Sequence, residues 1–118
     1  MKHLTKNRKE ILEIISASKK PLNVKQIKTQ VSFDTSTVYR ALDFLESLEY
    51  IHSVIFDNEK YYFKDKNGNF IICNSCRKIE AFPVQSISRE ENILKQEFGF
   101  LPLSHIFLFK GLCKKCNT

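Results

Sequence analysis

The chain has 118 residues, 42% apolar and 27% charged, with ten Phe and four Tyr against only three Gly and three Pro, a composition that excludes a disordered polymer. No run approaches the roughly 20 apolar residues of a membrane-spanning helix, and charges interrupt the apolar stripe of MKHLTKNRKEILEII as they do not in a secretory signal; the chain reads as cytoplasmic, with no membrane partner. The net charge of +6 is concentrated in residues 1–40, with nine Lys or Arg against three acids, which suggests a polyanion partner such as nucleic acid, with a solvated Lys-rich surface as the plainer reading that charge alone leaves open.

Thr5 can cap a first helix whose Ile11, Leu12, Ile14 and Ile15 recur at helical spacing, ending near the polar run 16–20 before Pro21. A second, about two turns long, starts at Asn23 with Gln26 in capping-box spacing and turns Val24, Ile27 and Val31 inward. Asp34 or Thr35 can cap a third, on which Val38, Ala41, Leu42, Leu45 and Leu48 form an apolar stripe. The β-branched and aromatic runs 50–56 and 60–64, separated by Asp57, Asn58 and Glu59, predict a hairpin with a three-residue turn. Three helices and a hairpin wing make a winged helix, expected over residues 1–66, with the junction in the polar KDKNGN run from Lys64 to Asn69.

A small α/β unit is expected over residues 67–118, so the fold class is α+β. Its elements are a strand from Phe70 to Cys73, a return strand from Lys78 to Phe82, and a helix over 86–97. That helix should carry Ile87, Ile93, Leu94 and Phe98 on one face, with Ser88 and Glu91 in capping-box spacing and Gly99 at its end. A last apolar strand runs from Leu101 to Leu112.

Cys73, Cys76, Cys113 and Cys116 form two C-x-x-C pairs with 36 residues between them. A two-residue spacer lets both thiolates of a pair face one ion, and two pairs complete a tetrahedral shell, so one structural Zn2+ per chain is expected. Four thiolates leave no open position for water or substrate, which argues against metal hydrolysis. Iron–sulfur ligation and reversible oxidation are the competing readings, while disulfides conflict with a cytoplasmic location.

In the third helix, Ser36, Thr37, Tyr39 and Arg40 lie near the N-terminal turn and face away from Val38, Leu42 and Leu45. Hydroxyls, a Tyr and an Arg at such a place suit a helix that reads DNA, Arg on guanine edges or phosphate and Tyr on thymine methyls or backbone. An ordinary capped, solvent-facing helix start is the plainer reading.

The T-x-x-R of Thr5 to Arg8, the STVYRAL of Ser36 to Leu42, a C-x-x-C after an apolar strand, and H-x7-C-x-x-C from His105 to Cys116 occur in order. This pattern resembles the ferric uptake regulator (Fur) family over nearly the whole chain. The resemblance implies a DNA-binding domain at residues 1–66, a dimerisation domain at 67–118, a homodimer, and double-stranded DNA with a palindromic operator as partner. It supports Tyr39 and Arg40 as DNA contacts and all four cysteines as structural zinc ligands, and it brings Lys2, Lys6 and Arg8 toward phosphate or a minor groove, with Lys25 as a further basic candidate.

The sequence departs from the family where a regulatory metal would bind. The His-rich run before the first C-x-x-C is replaced by Asn67, Gly68, Asn69 and Phe70; Ser88 and Ala81 fall where acidic ligands stand, Tyr62 where the wing carries Glu, and about Pro21 where a histidine lies. Only His105 matches a sensor ligand, and one imidazole with Asn neighbours does not compete with water for a divalent ion. It reads better as a hydrogen-bonded structural histidine, although Glu80, His52 and His3 are available for an unusual site. Phe70 and Tyr62 are expected to fill the junction with apolar contacts.

The resulting expectation is a repressor-type, sequence-specific regulator that needs no regulatory divalent ion. A protein-interaction module on the same scaffold that has lost operator binding is the alternative. A thiol oxidoreductase is disfavoured: no nucleophile, base and oxyanion constellation appears, and no small-molecule substrate is expected.

Overall fold

The computed structural model describes residues 4–83 and 86–117; Lys2 and His3 of the sequence reading lie outside them. The chain divides into two compact units, Met1–Lys66 and Asn67–Thr118.

The first unit carries α1 (Lys6–Ala17), α2 (Val24–Lys28), α3 (Thr35–Ser47), β1 (His52–Phe56) and β2 (Glu59–Phe63). Each helix begins on a side chain that accepts an otherwise unpaired backbone N–H: Thr5 from Arg8, Asn23 from Gln26 in a reciprocal capping box, and Asp34 from Thr37. At five residues, α2 is shorter than the two turns expected. The apolar stripes converge in one core of Ile11, Ile15, Leu22, Ile27, Val38, Ala41, Leu42, Leu45, Ile51 and Tyr62. Leu48, expected to extend the α3 stripe, is 40% exposed because the helix has ended there. Glu49 takes the left-handed conformation at φ 61°, and the N–H groups of Tyr50 and Glu49 bond the carbonyls of Leu45 and Glu46, a Schellman closure made without glycine.

The hairpin is tighter than expected. Asp57 and Asn58 alone form the turn, both at positive φ, and Glu59 is already in the strand opposite Phe56. A two-residue turn of that hand matches the twist of the strands, and Asp and Asn tolerate it. Tyr62, expected at the junction, is 2% exposed within the core of the first unit, and its backbone pairs with Leu22.

The second unit carries β3 (Gly68–Cys73), β4 (Ile79–Ala81), α4 (Ser88–Phe98) and β5 (Ile106–Gly111), with sheet order β4-β3-β5. β3 starts two residues before the expected Phe70, because Gly68 and Asn69 already pair in parallel with Ile106 and Phe107. β5 is shorter than the run from Leu101 to Leu112 that predicted it. On β3, Phe70 and Ile72 are buried while Ile71 between them is 44% exposed, the alternation of a pleated strand.

α4 ends at Gly99 in the left-handed conformation, as expected, but its start differs. Ile87 occupies the cap position with no side-chain bond, and Ser88 is the first helical residue, so the Ser88–Glu91 box does not form. None of its residues is buried, and Ile93, Leu94 and Phe98 lie open on its surface.

Candidate metal centre and nucleic-acid interface

β3 delivers Cys73 at its last position, and the chain turns at once through Asn74 to Arg77, whose φ of 69° closes the turn. The Arg77 N–H bonds the Cys73 carbonyl and the Cys73 N–H bonds the Lys78 carbonyl, so Cys76 is folded back over Cys73. β5 leads into the second pair, where the N–H groups of Cys116 and Asn117 both bond the Cys113 carbonyl. The Asn74 N–H donates to the Gly111 carbonyl at 2.7 Å and joins the two turns.

The four sulfur atoms all lie within 4.8 Å of one another. Cys76 Sγ and Cys113 Sγ are 3.7 Å apart, far beyond a disulfide bond, and all four cysteines are free. A tetrahedron with metal-to-sulfur distances of about 2.3 Å has edges of about 3.8 Å, so the donor set fits one ion such as zinc.

Backbone dipoles favour the thiolates unequally. The Cys76 N–H, then that of Cys113, bring the Cys73 thiol down to about 6. Cys113 is lowered first by the Cys116 N–H. Cys116 receives a hydrogen bond from Ser75 that lowers it, yet the neighbouring Cys113 and Cys73 thiols outweigh this and push it up to about 11. Crowded thiols do not all ionise unaided at neutral pH; a divalent cation supplies the missing charge.

The second constellation is the start of α3. The Asp34 carboxylate accepts the Thr37 N–H at 2.9 Å and the Ser36 hydroxyl at 3.2 Å, and the Thr37 hydroxyl accepts from the Arg40 guanidinium at 3.3 Å. Val38 is fully buried, whereas Tyr39 is 50% exposed and Arg40 lies open beside it. Lys6 and Lys25 are exposed on α1 and α2. Arg8 is only partly exposed: its guanidinium lies 3.6 Å from the centroid of the Phe44 ring on α3.

His105 sits just before β5. Its backbone N–H donates to Asn67 Oδ1 and its ring Nε2 pairs with Asn69 Oδ1, both at 3.0 Å, while the ring packs against Phe107. It is held by the two asparagines that precede the first cysteine pair, in keeping with the reading of a hydrogen-bonded histidine with Asn neighbours.

Residues 2–109 match the model of the ferric uptake regulator family. The chain belongs to that family. The Fur family consists of transcription regulators, not enzymes, and metal and DNA binding are typical of its members. Among curated relatives, the ferric uptake regulation protein of Campylobacter jejuni subsp. jejuni serotype O:2 is 31% identical over 100 residues, covering 82% of this chain. The chain spans 64% of the length of that relative. The Helicobacter pylori regulator Fur, described with three functional metal-binding sites, superposes with a TM-score of 0.80 at 24% identity over 98% of this chain and 83% of its own. A zinc uptake regulator solved with zinc and DNA superposes at 0.65 and 23% identity, covering 98% and 83%. At these identities the two structures establish the shared fold. Among the described residues of this Fur-family chain, no helix is long and apolar enough to cross a membrane.

Proposed function

We propose that this Fur-family chain is a sequence-specific transcription regulator that binds double-stranded DNA as a homodimer, with residues 1–66 as a winged-helix DNA-binding domain and 67–118 as the dimerisation domain. The observation that carries the reading is the capped start of α3, where Tyr39 and Arg40 stand open to solvent on a helix whose opposite face is buried. Tyr39 and Arg40 contact bases or backbone, Ser36 and Thr37 flank them, and Lys6, Lys25 and Lys2 approach phosphate, with Arg8 at the margin. The DNA complex of the zinc uptake regulator, which shares the fold, supports the same partner here.

Cys73, Cys76, Cys113 and Cys116 hold one structural zinc ion that closes the second unit. Dimerisation is supported by that unit's exposed apolar side chains, including Phe98, Phe100, Leu101, Leu103 and Phe109, each more than half exposed. Isolated surface apolar residues are ordinary, but such a density marks an association surface.

The regulator works without the family's regulatory divalent ion. His105, the residue that matches a sensor ligand, pairs its ring Nε2 with Asn69 Oδ1 while its backbone N–H donates to Asn67 Oδ1, and neutral amides bind divalent ions weakly. The test is selection of bound duplexes from a random pool by zinc-loaded protein, repeated with iron or manganese added. The reading expects one palindromic sequence enriched under every condition. No enrichment favours an interaction module without operator binding, and enrichment only with added metal restores a sensor site.

A further inference from the structure

The hairpin of the first unit carries one Lys or Arg, Lys60 on β2, beside Glu59 on the same strand and Asp57 in the turn. Glu59 is occupied: one carboxylate oxygen accepts the Asn23 amide and the other the Tyr61 hydroxyl, each at 3.1 Å. Lys60 is occupied as well. Its ammonium lies 3.1 Å from Glu46 Oε1, and the second oxygen of that carboxylate accepts the Ser53 hydroxyl. Ser53 belongs to β1 and Lys60 to β2, so one side chain of α3 holds both strands.

Glu46 stands in the last turn of α3, where a carboxylate opposes the helix dipole and gains nothing from the helix itself. The Schellman closure ties its carbonyl to the Glu49 N–H and pins that turn. At seven residues, nearly two full turns, Glu46 lies on the same face of the helix as Tyr39. Tyr39 and Lys60 line one concave surface together with Val24, Asn58 and Tyr62. The hydrogen bond to Glu46 also raises the Lys60 ammonium above its ordinary 10.5.

We propose that Glu46 is a positioning residue of the DNA interface: it fastens both strands of the hairpin to α3 and holds the Lys60 ammonium away from phosphate. The proposal rests on the DNA-binding reading above. An ammonium left free beside the reading helix would bind any phosphate, adding affinity without sequence information. Paired with Glu46, it leaves discrimination to the start of α3, and the hairpin keeps one placement beside Tyr39.

The test measures binding across a salt series for zinc-loaded wild type, K60M, E46Q, S53A and the E46Q/K60M double variant, on the wild-type-selected duplex and on a scrambled one. E46Q should steepen the salt slope by about 0.9, the contribution of one phosphate contact, and reduce the preference for the selected duplex several-fold. K60M should leave the slope unchanged, the double variant should return it to the wild-type value, and S53A should reduce the preference without changing the slope. A shallower slope for K60M, or a wild-type slope for E46Q, would overturn the proposal. If wild type itself shows no preference, the DNA-binding reading falls and the proposal with it; wild-type preference with equal slopes throughout overturns the proposal alone.

Discussion

The guanidinium of Arg8 lies face-on to Phe44 at 3.6 Å from the ring centroid, so a residue of the basic N-terminal segment joins the first helix to the third. A cation over an aromatic face at a partly exposed site contributes about 0.5–1 kcal/mol. Arg8→Gln should therefore destabilise the first unit by about that amount in urea unfolding while changing the salt slope of DNA binding little. A slope shallower by about 0.9 would make Arg8 a phosphate ligand instead. Arg40→Ala should behave differently, weakening binding to the selected duplex by about 1–3 kcal/mol with a much smaller effect on scrambled DNA. Equal losses on both duplexes would reduce Arg40 to a phosphate contact.

Elemental analysis should find one zinc per chain, and strong chelation should melt the second unit while leaving the helical signal of the first. Four thiols whose sulfur atoms lie within 4.8 Å of one another repel as they ionise, so folding of this unit and metal binding are expected to be one equilibrium. Cys113→Ser should give the same outcome as chelation. A second unit that keeps its near-UV circular dichroism without metal would contradict a structural role.

The Asp34 carboxyl is held below its ordinary value of 3.8, chiefly by hydrogen bonds from the Thr37 side chain and backbone. A carboxylate favoured in the folded state adds stability that is complete above pH 3.8 and is lost as pH falls through the depressed native value. The Thr37 amide resonance should thus titrate with a midpoint below 3.8, and Asp34→Asn should abolish that titration while keeping the cap. A midpoint above 3.8 would mean the cap bond is not made in solution.

Phe100 and Leu103 are 67% and 74% exposed, next to a helix that buries none of its side chains. Placing a charge there leaves a monomer unaffected but opposes burial at an association surface. Phe100→Asp together with Leu103→Asp should convert the protein to a monomer in sedimentation velocity while retaining its zinc. An unchanged dimer would move the interface elsewhere.

Much of the fold was legible locally. The Asn23–Gln26 box, the α3 stripe and Gly99 are signals within a few residues, and each produced the element expected. Some of the errors have local causes too. The α3 terminus has no glycine to announce it, since Glu49 adopts the left-handed conformation within the Schellman bonds to Leu45 and Glu46. The Ser88–Glu91 capping box did not form because Ser88 is already the first helical residue and Ile87 takes the cap position. Side-chain type alone assigns Tyr62 to the junction, whereas its burial in the first unit is decided by what the ring meets in three dimensions.

The sequence by itself determined that the two cysteines of each close pair can face one ion, because a two-residue spacer brings those two thiolates together whatever surrounds them. It also determined the amphipathic helices and the exposed Tyr39–Arg40 pair, since helical periodicity alone assigns those faces. Only the tertiary structure decided that the two pairs meet, because 36 residues separate them and the parallel pairing of β3 with β5 closes that distance. It also decided which partners the charged and polar side chains take: Arg8 on Phe44, Lys60 and Ser53 on Glu46, His105 on Asn69. Spacing along the chain carries no record of such pairs, because each forms between elements whose approach is set by packing of the core.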